Sequence, residues 1–242
     1  MPSFWRHVRL VIEKAEIIME VLDARMIEET RNAEIEEKIQ RAGKKILYVI
    51  NKCDLVPPQK LDGLKKNLNP SVFISSKEKL GTTILKKKIL EMCHGEKVIV
   101  GVVGYPNVGK SSLINALSGR GAARTSITSG FTHGLQKIMI GNQIMLLDTP
   151  GVFPYTKETE FKYVKTGALS FDRVKEPEVV LEKLIAENKE LFLRYYKVTG
   201  EDAEEILENI AKKMKNLLKG GGPNLELASR KVLRDWQEGK IR

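Results

Sequence analysis

Residues 104 to 111 read Gly-Tyr-Pro-Asn-Val-Gly-Lys-Ser, the G-x-x-x-x-G-K-[ST] spacing of a phosphate-binding loop. This octapeptide constrains the fold more than any other feature, because such a loop works only between a strand and a helix. Residues 97 to 103 (Lys-Val-Ile-Val-Gly-Val-Val) supply the β-branched run expected of a buried parallel strand, and residues 111 to 118 continue as a helix. In that geometry the backbone N–H groups of Asn107, Val108, Gly109, Lys110, Ser111 and Ser112 cradle phosphate at a helix N-terminus. Lys110 then reaches the β- and γ-phosphates as a catalytic cation, and the Ser111 hydroxyl ligates Mg²⁺.

A second motif lies upstream. Asn51-Lys52-Cys53-Asp54 follows the strand-like run 45 to 50, which puts it at the carboxyl end of a strand, where open α/β sheets bind ligands. The Asp54 carboxylate there can accept two hydrogen bonds from guanine N1–H and N2–H₂, a pair that adenine does not offer, so GTP or GDP is favoured over ATP. Ser71-Val72-Phe73-Ile74 is a third strand-like run, and Ser75-Ser76-Lys77 after it resembles the S-A-K loop whose backbone N–H meets guanine O6. An ordinary GTPase presents phosphate loop first and base reader last; here the order is reversed, so the chain reads as circularly permuted.

The third element is Asp148-Thr149-Pro150-Gly151, after the run 143 to 147. Asp148 at a strand end can hold a Mg²⁺-bound water, and the Gly151 N–H can meet the γ-phosphate. Between Lys110 and Asp148 a switch must supply a Thr that closes over Mg²⁺. Thr125 to Thr132 offers several, of which Thr132 matches the pattern best and is expected to be both Mg²⁺ ligand and catalytic residue. A Gln that would orient the attacking water is missing after Gly151, where Val152 stands, so intrinsic turnover is expected to be slow. His133 and His7 are alternative water-positioning groups, and Asp23-Arg25 reads equally well as functional or as a structural strand-end pair.

The order N-K-C-D, S-S-K, G-Y-P-N-V-G-K-S, switch Thr, D-T-P-G, with Asp23-Ala24-Arg25 after the first strand, resembles the YlqF/RbgA family of circularly permuted ribosome-assembly GTPases. Residues 217 to 239 look like that family's closing helical element. Two departures stand out: Ser129-Gly130-Phe131-Thr132 replaces the usual Pro-Gly-x-Thr, and His7 does not obviously occupy the place of the His that bacterial members carry. The resemblance implies an α/β P-loop GTPase domain, mostly parallel with helices on both faces, over 1–158, and a small all-helical ribosome- or RNA-binding domain over 159–242. It also implies docking on the large ribosomal subunit or its precursor through rRNA. Related GTPases with an Asn at the place of Asn107 bind K⁺, which makes Asn107 a K⁺ ligand with a catalytic role by resemblance.

Composition sets bounds. Two Cys give neither a disulfide framework nor a zinc site, no run is long enough for a membrane span, and the opening residues lack a signal-like apolar stretch, so a cytoplasmic monomer is expected. The coarse pattern alternates strand and helix to about residue 152 (strand 17–22, helices 28–41 and 82–92) and is helical afterwards, over 177–196, 201–218 and 225–238. The chain carries 41 basic and 31 acidic residues, a net charge of +10. Residues 176 to 208 hold four basic and ten acidic residues, and 209 to 242 hold nine basic and three acidic, which points to a basic end containing Arg230, Lys231 and Arg234 that meets RNA phosphates. Two classes of function follow: a GTP-hydrolysing assembly timer, or an RNA-binding chaperone that keeps GTP as a structural ligand.

Overall fold

The computed structural model describes residues 3–59, 61, 68–119, 136–149, 160–218 and 220–241. The chain divides into two compact units, Met1–Pro154 and Tyr155–Arg242; the boundary expected at 158/159 lies outside the described residues.

The first unit is built on a six-stranded sheet of order β3-β2-β1-β4-β6-β5, with β1 Ile17–Asp23, β2 Lys45–Asn51, β3 Ser71–Phe73, β4 Val98–Val103, β5 Gln136–Ile140 and β6 Ile144–Asp148. Every pairing is parallel except β5 with β6. All seven residues of β1 are buried, as expected of a central strand covered on both faces. The β5–β6 hairpin is an addition to the sequence reading: Ile138 and Ile140 are buried while Met139 is 47% exposed, a period of two over too few residues to stand out.

Helix α1, Ser3–Lys14, is the other addition. Val8, Val11 and Ile12, with Ala15, form one apolar stripe that packs with Ile18, Val103, Leu147 and with Ile35 and Ile39 of α3. Each such side chain contributes about 1.5–3 kcal/mol by leaving water. Gly101 on β4 lets α1 come this close, since a Cβ there would sit 2.3 Å from Val11 Cγ1. A Val at position 101 would push α1 off the sheet.

The helix expected over 28–41 is two, α2 Ile27–Thr30 and α3 Ala33–Arg41. Asn32 separates them by capping α3 through its side chain, which accepts from the Ile35 N–H, while its own N–H donates to Glu20 Oε1 at 2.9 Å. Helix α4 spans Thr82–Met92 and α5 Lys110–Ser118.

In the second unit the described residues form α6 Glu160–Lys165, α7 Pro177–Glu187, α8 Lys189–Tyr196, α9 Ala203–Lys213 and α10 Leu225–Gln237. The single helix expected over 177–196 breaks at Asn188, whose side-chain amide donates to the Leu184 carbonyl. Leu181, Leu184 and Ile185 of α7 share the core with Ile206 and Ile210 of α9 and Val232 and Leu233 of α10. Trp236 stacks on Phe192 at 5.9 Å and donates its indole N–H to the Lys165 carbonyl. The expected basic end needs correction. Arg230 is half-buried, pairs with Glu226 and donates to the carbonyls of Phe171 and Asp172, and Lys231 donates to Asn216 Oδ1 at 2.6 Å. Those two cations hold the unit together, whereas Lys215 and Arg234 are exposed.

Candidate nucleotide-binding site

The carboxyl ends of β1, β2, β4 and β6 converge on one edge of the sheet. From β1 the chain moves to β2 on one side, and from β4 it moves to β6 on the other, so the crevice between β1 and β4 is a topological switch point. The phosphate loop fills it. Gly104 (φ +145°) has no room for a side chain, because a Cβ would lie 2.5 Å from the Val21 carbonyl of β1. Gly109 (φ +99°) is similarly tied to the base side: its Cβ would lie 2.3 Å from Asn51 Nδ2. Asn107 takes a left-handed conformation (φ 60°) at the exposed crest of the loop.

Lys110 opens α5 and folds its ammonium back over the loop, donating to the carbonyls of Gly104 and Tyr105, both at 2.7 Å. Burial pushes its pKa down to about 8, against the pull of the Asp148 charge. Ser111 and Ser112 follow, exposed in the first turn of α5. Asp148 stands beside the loop because β6 pairs with β4 in the register Val102 to Asp148. Burial raises its pKa, with Lys110 and the Thr149 N–H pulling the other way, and its buried Oδ1 has no hydrogen-bond partner among the described residues. An orphaned carboxylate oxygen at the strand end beside Lys110, the residue before Ser111, fits Mg²⁺, which takes one or two protein oxygens and completes its shell with phosphate and water. Thr149 fixes the strand end by donating its hydroxyl to the Val102 carbonyl at 2.8 Å.

On the base side, the Asn51 side chain joins three loops. Its Nδ2 donates to the Val108 carbonyl of the phosphate loop at 2.8 Å, and its Oδ1 accepts from Ser76 N–H and Ser76 Oγ at 3.0 and 2.9 Å. Lys52 follows in a left-handed conformation (φ 63°) and its ammonium meets Asp23 Oδ2 at 2.8 Å. Asp54 sits half-buried in the 3₁₀ turn Cys53–Leu55. Ser75, expected to contact nucleotide, does something else: it is fully buried, bonds Leu80 through its backbone, and accepts the Glu78 N–H on its hydroxyl. With the Ser76 N–H given to Asn51, the next N–H along this loop is that of Lys77, the last residue of the matched motif.

Thr132, Gly151, His133 and Val152 lie outside the described residues. His7 is half-buried on α1. Sequence reasoning also missed the Asp23–Lys52 pair, whose partners are far apart in the chain, and a buried carboxyl pair behind the site. Glu20 of β1 is fully buried; burial first, then the Glu36 charge, raise its pKa to about 8. Glu36 is held by both arms of Arg31 at 2.9 and 2.8 Å and by the Tyr48 hydroxyl at 3.1 Å.

A P-loop fold whose base reader precedes its phosphate loop, yet is stitched to it in space, is a circularly permuted GTPase domain. Comparison with known proteins agrees. A family profile described as 50S ribosome-binding GTPase matches residues 99–218, a span that contains the phosphate loop and leaves the base reader outside. Crystal structures of YlqF from Thermotoga maritima, GNP-bound and GDP-bound, superpose with TM-scores of 0.69 and 0.70 over 98% and 97% of this chain and 94% and 95% of theirs, at 23% identity. An uncharacterized GTP-binding protein of Methanocaldococcus jannaschii is 39% identical over 97% of this chain and 65% of its own length. Nucleolar GTP-binding protein 2 of Saccharomyces cerevisiae is 32% identical over 98% of this chain and 52% of its own length. The chain thus spans from about half to 65% of the curated relatives it matches. Its fold is that of YlqF, and its central segment matches the 50S ribosome-binding GTPase profile.

Proposed function

We propose that this protein binds and hydrolyses GTP and serves as an assembly factor for the large ribosomal subunit. The observation that carries the reading is the Asn51 side chain, which fastens the base-reading loop, the Ser76 loop and the phosphate loop into one pocket. In it Asp54 accepts guanine N1–H and N2–H₂, and the Lys77 N–H takes O6. The N–H groups from Asn107 to Ser112 hold the phosphates. Lys110 exchanges its two loop carbonyls for phosphate oxygens and moves toward the γ-phosphate, where charge develops as the bond to the leaving GDP breaks. Ser111, Asp148 and Thr132 hold Mg²⁺, which when bound neutralises charge on the β- and γ-phosphates. Gly151 senses the γ-phosphate, and Asn107 holds K⁺ in place of an arginine finger.

The names of the relatives support the ribosomal setting: a 50S ribosome-binding GTPase family and nucleolar GTP-binding proteins. The GTPase part, 1–158, passes its nucleotide state to the helical part, 159–242, through the segment that follows Gly151. The helical part meets rRNA through exposed cations such as Lys215 and Arg234, and the protein acts as a cytoplasmic monomer. Val152, which cannot orient water, favours the second reading, an RNA-binding chaperone for which GTP is a structural ligand.

The deciding experiment is GTP turnover in KCl and in NaCl, with and without large ribosomal subunits. Turnover that rises with subunits and needs K⁺ is the expected result. Tight GTP binding that neither addition converts into faster hydrolysis favours the chaperone. Failure to bind GTP refutes both.

A further inference from the structure

The contacts proposed for base and phosphate do not use Asp23-Ala24-Arg25, yet its geometry is tightly specified. The Asp23 carboxylate is fully buried at the end of the central strand. Its Oδ1 accepts from the Arg25 N–H and Nε, both at 3.0 Å, and its Oδ2 accepts from Arg25 Nη2 and from Lys52 Nζ, both at 2.8 Å. Arg25 therefore grips both oxygens and fixes the rotamer, leaving one oxygen edge turned to Lys52. The backbone reinforces this arrangement: the Asp23 N–H donates to Thr30 Oγ1, and the Ala24 N–H donates to the Asn51 carbonyl.

Lys52 lies two residues from Asp54, the carboxylate that reads guanine, and the two charges act on each other. A lysine ammonium on a flexible four-carbon stem seeks the nearest carboxylate. Released from Asp23, it would settle on Asp54 and occupy the lone pairs that guanine needs. We propose that Asp23 is a positioning residue for base specificity: by holding the Lys52 ammonium, it keeps Asp54 free to accept guanine N1–H and N2–H₂. Arg25 sets the direction in which Asp23 offers its second oxygen.

This inference rests on the GTP-binding reading, and the test separates the two. Affinities for GDP and for IDP, which lacks the exocyclic amine, are measured by calorimetry for the wild type, Asp23→Asn, Lys52→Met and the double variant. In Asp23→Asn the GDP affinity falls about tenfold or more while IDP binding changes less, so the GDP-to-IDP preference shrinks. Lys52→Met keeps the stem without its charge and retains the preference, and adding it to Asp23→Asn restores the preference that Asp23→Asn lost. A parallel loss of GDP and IDP binding in Asp23→Asn would reduce Asp23 to a structural role and overturn the proposal. Loss of the preference in Lys52→Met alone would overturn it as well, and this single variant decides the matter if Asp23→Asn does not fold. A wild type that binds neither nucleotide, or binds both equally, refutes the guanine reading beneath it.

Discussion

Asp23 and Asp148 occupy equivalent places, each closing a parallel strand at the edge that carries the phosphate loop, and they have been treated in opposite ways. Asp23 has two cations and a backbone N–H on its oxygens; burial alone would raise its pKa, but Arg25 and Lys52 outweigh burial and hold it below the ordinary carboxylate range. Asp148 has one buried oxygen without a partner among the described residues, and burial leaves its pKa raised. The first carboxylate is complete within the protein. The second keeps an oxygen that no described residue engages, which is the difference between a carboxylate that builds a site and one left open to serve it.

Removing each charge should therefore move stability in opposite directions. Asp23→Asn strands the half-buried Arg25 and sends Lys52 to Asp54, and is expected to cost about 2 kcal/mol in urea unfolding of the nucleotide-free protein; no loss would mean that Arg25 also finds another partner. Glu20→Gln should stabilise by about 1–2 kcal/mol at pH 7, because a Gln can still accept from the Asn32 N–H and brings no carboxyl that unfolding would let ionise. Since the folded Glu20 holds its proton up to about pH 8 and an unfolded one loses it near 4.5, the cost it imposes grows as pH rises between those values, and the gain from Gln should vanish by about pH 4. Asp148→Asn should stabilise the nucleotide-free protein by about 1 kcal/mol while raising the Mg²⁺ needed for tight GTP binding. The pH windows sharpen the contrast. The benefit of Asp23 is full above the ordinary carboxylate pKa and is lost as pH falls through its lower folded value, whereas the cost of Asp148 starts at the ordinary value and is complete only above its raised one. An Asp148→Asn gain that persists at low pH would break this account.

The smallest effect concerns Lys110. Its pKa of about 8 in the free protein must rise beside phosphate, so nucleotide binding should take up a proton. Affinity is then full below about pH 8 and weakens as pH climbs through it. Calorimetry in buffers of different ionisation heat should find uptake well below one proton at about pH 7 and clearly larger near pH 8.5. Equal values at the two pH values would mean that Lys110 does not change its surroundings on binding.

The phosphate loop, the N-K-C-D turn and the strands β2, β3, β4 and β6 were legible because chemistry limits which residues can stand there and because buried parallel strands are apolar runs. Helix α1 escaped notice although Val8, Val11 and Ile12 are spaced for one face; three residues on a short segment carry little signal until Gly101 opens a place for them. Glu20 interrupts the β1 run and gives no hint that Asn32 and Glu36 will absorb it. Charge counting read Arg230 and Lys231 as solvent-facing, but the carbonyls of Phe171 and Asp172 and the Asn216 side chain that claim them are set by tertiary packing. Ser75 shows the limit of motif matching: the pattern does not say which of its residues the fold buries, and Ser75 is the one that closes its own turn through Leu80 and Glu78.

The reversed motif order also sets the sequence in which the pocket is made. As the chain is synthesised, β1, β2, β3 and α4 emerge before any part of the phosphate loop, so the base half can assemble while the ribosome is still producing the rest. Until β4 arrives, β1 presents an unpaired edge in the middle of the future sheet, and Asn51 has the Ser76 loop to hold but not Val108. Closure of that edge comes with β4, and the pocket is complete only later, when β6 pairs with β4 and brings Asp148 beside the loop.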